Sequence, residues 1–269
     1  VATELLLQAK ALLARAYGDL GHLYASTGRF TKAMTHAKQG IELFGATKDK
    51  LQAAQLQLWL CRLQLRMAVP QAAPLGRTAF VNILEDPALL CGLSAASPSE
   101  DSTCAQVVLT LQKALSALES DDNMEQGVFM KGQVLLGRVF LRQGLVRLAR
   151  SKKPAFFAAS RLCKEDGAIA SALELLQVVA TLSEAPPPEI GAEGSGPEEA
   201  PKDAVERLLQ AASCFRVARE SSLGSLAHAS LAAVYFCCRS DARVQRLCLT
   251  HCQHALDQLQ LSTVGEKFD

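Results

Sequence analysis

The sequence predicts an all-α protein made of antiparallel helix pairs, and three observations carry that reading. Leu and Ala dominate a chain in which aromatic residues make up only 5%, a balance that favours helix over sheet. From Leu5 to Ser26 apolar residues recur every three or four positions with no proline, the period of a helix several turns long. A second helical stretch, Thr31 to Phe44, follows across the short break Ser26-Thr27-Gly28-Arg29. Gly28 can end a helix in the left-handed conformation, and so short a turn forces the two helices to fold back on each other.

The remaining elements follow in order. Lys50 to Met67 reads as a third helix, and Leu109 to Ser120 as a fourth. Gln126 to Gly144 is helical, and helices resume at Lys202 to Glu220, Leu223 to Cys238 and Asp241 to Leu261. Two segments interrupt them. Residues 69–103 carry Pro70, Pro74, Pro87 and Pro98, an apolar stretch from Phe80 to Leu93, and a Ser-rich acidic tail, so this insertion is expected to be partly mobile. Residues 183–201 combine Pro, Gly and Glu with Ile190 as their bulky residue. Such a stretch cannot bury enough apolar surface to offset its ordering entropy, and a disordered acidic loop is expected there.

The first hairpin holds a specific pattern: Tyr17, Leu20, Gly21, Tyr24, Gly28, Phe30, Ala33 and Gly40. Gly21 and Ala33 are small where two helices cross closely, with Tyr17, Leu20 and Tyr24 filling the space beside them. This resembles the tetratricopeptide motif, W-x2-L-G-x2-Y with a later A-x3-F and P. Ala37 stands in place of the large apolar residue, and Gly45 near the usual proline. Leu60-Cys61 and Leu136-Gly137 repeat the Leu20-Gly21 pair, as Leu231-Ala232 with Tyr235 does more faintly. The resemblance implies a right-handed α-solenoid of about four or five irregular hairpins spanning residues 1–269 as a single domain. It also implies a function, since stacked hairpins of this family offer a curved surface that binds an extended or helical partner segment. The irregular repeat lengths are similar to those of scaffolds in large assemblies.

Composition narrows the function classes. With 49% apolar residues, 20% charged residues and a net charge of +1, the chain has no overall electrostatic drive toward nucleic acid or anionic membrane. RNA therefore stands below protein as the expected ligand. Nine cysteines scattered through apolar helical stretches read as reduced thiols, which places the chain inside the cell, in cytoplasm or nucleus. No apolar run is long enough to span a membrane. Val1 to Leu13 carries Glu4 and Lys10 and does not read as a signal peptide. The Val1 start leaves open that the chain is the regulatory solenoid of a larger enzyme.

No nucleophile motif, phosphate loop, dinucleotide fingerprint or HExxH pattern is present, so the chain is not expected to be an enzyme or to hold a cofactor. Gly132 and Gly137 lack the Lys-Ser/Thr that a phosphate loop requires. Cys237, Cys238, Cys248, His251, Cys252 and His254 form the densest cluster of metal-ligand types. Their spacing matches no familiar zinc module, and small cysteines suit tight helix crossings, so no metal is assigned. Ser151-Lys152-Lys153-Pro154 reads as a solvated helix end.

The resemblance also implies a groove. In this family the first helix of each repeat lines the concave surface. Carried through Leu20-Gly21, Leu60-Cys61 and Leu136-Gly137, the groove positions become Arg15, His22, Arg62, Arg66, Lys131, Arg138 and Arg142. That set is basic, and the planar fork of arginine suits carboxylate and phosphate, so an acidic or phosphorylated segment is the expected partner. The dicarboxylate-clamp subtype carries Lys and Asn where Gly18 and His22 stand, so chaperone tails are not expected.

Overall fold

The computed structural model describes residues 2–68, 98–119, 125–150, 162–163, 167–184, 202–238 and 242–265. Among these residues the protein is all-α, with nine helices and no strand. They are α1 (Ala2–Ser26), α2 (Phe30–Ala46), α3 (Lys50–Ala68), α4 (Pro98–Glu119), α5 (Gln126–Ala149), α6 (Ala168–Glu184), α7 (Lys202–Ala218), α8 (Ser221–Cys237) and α9 (Ala242–Gly265). Contacts divide the chain into two compact units, Val1–Pro87 with Ser97–Leu136, and Ala88–Ala96 with Gly137–Asp269. The sequence alone predicts no such boundary. The apolar stretch Phe80 to Leu93, the Ser151 to Pro154 run and most of the acidic loop lie outside the described residues.

In the first unit the turns are built by one backbone device used twice. After α1, Gly28 takes φ 76°, its N–H donates to Ala25 O at 3.0 Å, and Arg29 N–H donates to Tyr24 O at 2.8 Å. This pair of bonds is the Schellman motif, which satisfies carbonyls that a helix end would otherwise leave bare. After α2, Lys48 adopts φ 59°, with Lys48 N–H donating to Gly45 O and Asp49 N–H to Phe44 O. Asp49 then caps α3, its Oδ1 accepting from Gln52 N–H at 3.2 Å.

The packing of these helices depends on small residues. A methyl group placed on Gly21 would stand 3.3 Å from Ala33 O, and one on Gly40 would stand 3.1 Å from Ala14 O and 2.8 Å from Leu56 Cδ2. Ala14, Ala25, Ala33 and Ala37 are buried with Phe44, Leu56, Trp59, Leu60 and Leu63 in one core. The expectation that Gly21 and Ala33 mark a close crossing matches this geometry. Tyr17 and Tyr24 are half-buried and sandwich His36, with centroid distances of 5.7 and 5.2 Å. Leu20 does not fill the crossing. It is 38% exposed, because it falls on the face of α1 that carries Leu13 and Leu23, away from the buried Ala14, Gly18, Gly21 and Ala25.

The second unit is organised around α8, whose buried residues run almost unbroken from Leu223 to Val234 and whose neighbours are α6, α7 and α9. Gly, Ala and Ser supply most of that surface, so other helices approach it closely. Its hydroxyls are satisfied locally: Ser230 Oγ donates to Leu226 O at 2.8 Å, and Ser225 Oγ to Ser222 O at 2.7 Å. Two glycines of α5 form notches for α7. Phe215 lies 2.7 Å from where a Gly137 Cβ would stand, and Leu208 lies 2.9 Å from that of Gly144. The turn from α7 to α8 repeats the Schellman bonds, with Arg219 at φ 56° and Glu220 N–H donating to Phe215 O at 2.9 Å.

The largest boundary difference is α4, which starts at Pro98 and not at Leu109, so residues 98–103 of the expected insertion are helical. Pro98 suits a first helical position, and Glu100 and Asp101 in the first turn favour the positive end of the helix dipole.

The left-handed hinges predict opposite substitution effects. Gly28→Ala should cost about 1 kcal/mol. Lys48→Gly and Arg219→Gly should each stabilise by about 0.5–1 kcal/mol, since the relieved strain exceeds the added freedom of the unfolded chain. The crossing predicts that Gly40→Val destabilises by about 1–3 kcal/mol. Gly45→Ala, with nothing within 4 Å, should gain about 0.5 kcal/mol. Urea denaturation of the four classes of variant checks both sets.

Candidate functional site

The first unit carries a cleft of ≈ 310 Å³ bounded chiefly by α1 and α3. Arg15, Gly18, Asp19 and His22 line it from α1, Gln52, Gln55, Leu56 and Trp59 from α3, and Phe44 from α2. The α1 residues sit at i, i+3, i+4 and i+7, one stripe of a helix, and Gln52, Gln55, Leu56 and Trp59 repeat that spacing on α3. Gly18 has no side chain to fill the space, so its backbone forms part of the wall.

Charge in the cleft is mixed. Arg15 supplies a cation and Asp19 an anion, and both are exposed. His22 leans on Trp59 with ring centroids 4.3 Å apart and planes tilted by 54°. Burial pulls the His22 pKa below its usual value against the opposing pull of the Asp19 charge, so the imidazole is neutral at neutral pH. Trp59 is 8% exposed, and its buried Nε1–H makes no hydrogen bond with any described residue. Gln55 Nε2 donates to Glu125 Oε2 at 3.4 Å. Amides, one cation, one carboxylate and an aromatic wall line the cleft. No nucleophile and base are paired in it.

Two of the seven residues expected to line a groove, Arg15 and His22, line this cleft. Arg62 and Arg66 lie on α3 at i+7 and i+11 from Gln55, the same face but further along the helix. Both are half-buried, and the Arg66 guanidinium stands 5.9 Å from the centre of the Phe30 ring. Lys131 is exposed on α5. Arg138 and Arg142 belong to the second unit. Arg142, at 1% exposure, is a core residue there and not a groove residue, because residues 139–146 of α5 are buried on every side. Gln52, Gln55 and Asp19 were not anticipated. The helical spacing from Arg62 back to Trp59 and Gln55 was the signal that could have found the α3 residues.

Most of the described cysteines are buried. Burial pushes the Cys61 thiol up to about 12 and those of Cys163 and Cys214 up to about 11. Cys163 Sγ lies 3.6 Å from Ser230 Oγ, and Cys248 Sγ donates to Ala232 O at 3.4 Å. Cys237 and Cys252 are only partly buried, and the Cys252 pKa is lowered because the single Cys248 S–H can turn from Ala232 O to a Cys252 thiolate. Among the described cysteines, iodoacetamide at pH 8 should therefore label Cys252 and Cys237 first, leaving Cys61, Cys163 and Cys214 unmodified until the chain unfolds. Peptide mass mapping reads the order, and early labelling of Cys61 would contradict the packing described for α3.

Among the described residues no helix is long and apolar enough to cross a membrane. No family model matches the chain, and no curated protein and no solved structure matches it.

Proposed function

We propose that the chain is a tetratricopeptide-like solenoid that serves as a protein-protein interaction scaffold, holding an extended partner segment through the α1–α3 cleft. The observation that carries this reading is the cleft itself, in which Arg15, Gln52, Gln55 and Trp59 face one space. Each group has a use there. Glutamine amides donate and accept together, which suits the N–H and C=O of an extended main chain. The Arg15 fork suits a carboxylate or phosphate on the partner, and Phe44, Leu56 and Trp59 offer an apolar wall to a neighbouring side chain. At ≈ 310 Å³ the cleft lies at the low end of ligand pockets, ~300–1,000 Å³. It therefore anchors one or two side chains, and the rest of a partner would lie on the helices around it. Within a larger assembly such an anchor fixes register more than it supplies affinity.

The experiment is selection of a displayed random-peptide library on the purified chain, followed by affinity measurement of enriched peptides. The expected consensus holds an acidic residue next to an apolar one. Arg15→Glu should weaken binding about tenfold or more, near 1.4 kcal/mol, and added salt should weaken it further. Gln55→Ala should weaken it less, while Lys131→Glu should leave it within about twofold. Peptides that enrich without acidic residues and ignore Arg15→Glu would remove the cleft from the binding surface.

A further inference from the structure

The α8–α9 seam of the second unit brings three of the five histidines together. His228 Nδ1 and His251 Nδ1 stand 3.1 Å apart. The ring centroids of His228 and His251 are 5.3 Å apart, those of His228 and His254 5.1 Å, and those of His251 and His254 6.3 Å. Tyr235 lies flat against His251, at 5.5 Å with 4° between the planes, and so fixes that ring. His251 is 8% exposed, His228 is half-buried and His254 is exposed. The cluster thus has a buried side and an open one.

Two facing Nδ1 atoms pose a proton-counting problem. A neutral imidazole carries one N–H, so a single proton on one Nδ1 serves the contact, and the other ring must present a bare nitrogen. If both rings carry their proton on Nε2, two bare nitrogens face each other and need a shared partner. A divalent transition ion is such a partner. With bonds of ~2.0–2.1 Å and an angle between ~90° and ~109°, two imidazole nitrogens on one ion stand about 2.9–3.4 Å apart, a span that includes the observed 3.1 Å. Moving the proton from Nδ1 to Nε2 changes a tautomer and not the charge, so the ion enters without first displacing a proton from the pair.

We infer that His228 and His251 form the fixed half of a metal site on the α8–α9 seam, completed by His254, for a borderline divalent ion of the zinc, nickel or cobalt class. As they stand, no three His, Cys, Asp or Glu groups among the described residues converge in a metal-binding arrangement. The site therefore requires the exposed His254 ring to turn toward the pair. His254 follows His251 at i+3 on the same helix face, which places its Cα correctly for that turn. Imidazole donors select borderline ions over calcium or magnesium. Arg216 on α7 is the cation near enough to act on His228. It is exposed, so solvent screens it and it weakens the site without closing it. The ligand set is restricted to imidazoles; the buried Cys248 thiol lies 3.4 Å from Ala232 O.

The test uses the full chain, stripped with chelator and kept reduced with a phosphine. Zinc chloride and cobalt chloride are titrated by calorimetry and visible absorption. One ion per chain is expected at micromolar concentrations, with His228→Ala and His251→Ala each weakening it about tenfold to a hundredfold and Cys252→Ser leaving it unchanged. The cobalt spectrum should lack a sulfur-to-metal band. Since His251→Ala could disturb packing, a second measurement uses unaltered protein. Zinc should protect His228 and His254 from diethylpyrocarbonate while His36 stays reactive. A sulfur-to-metal band, undiminished binding by both histidine variants, absence of histidine protection, or no binding at ~1 mM free ion would each overturn the assignment.

Discussion

Helices in this protein meet through positions that have almost no side chain, and the rest of the structure follows from how close that lets the backbones come. In the first unit a methyl group on Gly21 or Gly40 would crowd Ala33 O at 3.3 Å or Ala14 O at 3.1 Å, so the backbones would have to give way. Two backbones in such contact gain dispersion over a long seam at little side-chain entropy. Tolerance is correspondingly small, since any added volume meets backbone atoms, which cannot rotate away. The second unit uses the same constraint differently. There the glycines of α5 are notches, and Phe215 and Leu208 are the pieces that fill them.

Close contact along one seam leaves space along another. α1 presents Ala14, Gly18, Gly21 and Ala25 to its buried face, while Arg15, Asp19 and His22 lie on the adjoining face. These longer side chains cannot follow the backbone into the crossing, and they rim the gap between α1 and α3. In the second unit the small residues of α8 let α9 come near enough for His228 and His251 to touch. Both polar clusters therefore sit at the margins of small-residue contacts.

Helix existence was legible in the sequence because it depends on period and on stop signals. Gly28 marked its hinge, and helices at 31–44, 50–67 and 202–220 fall within a few residues of α2, α3 and α7. Two other hinges were not legible, since Lys48 and Arg219 take the left-handed conformation without the glycine that would announce it. The start of α4 was missed because Ser-rich, acidic residues read as loop, although Glu100 and Asp101 favour a helix N-terminus. For the site, the pattern over Tyr17 to Ala33 set the register of α1, and Arg15 and His22 line the cleft. Along α3 the cleft is lined by turns N-terminal to Arg62 and Arg66 on the face that carries them. At α5 an arginine signalled solvent by its charge, yet Arg142 is buried. His228 escaped notice because its partner His251 is distant in sequence and only the fold brings α8 and α9 together.

The electrostatics of the cleft bear on what kind of recognition it can perform. Seven basic positions were expected to make a positive groove, but the cleft gathers one arginine, one aspartate and a histidine that burial keeps neutral. Formal charge there nearly cancels. A site of that kind cannot draw an acidic segment from a distance by net field. On the proposed function it would discriminate at contact, where a partner carboxylate would have to reach Arg15 without meeting Asp19, one helical turn away. Like charges brought together on binding cost more than surface pairs return, so under that proposal Asp19 would disfavour partners whose acidic residue is displaced by one position. Placement of a single carboxylate relative to an apolar neighbour on Trp59 would then set specificity, more than the total negative charge of the partner.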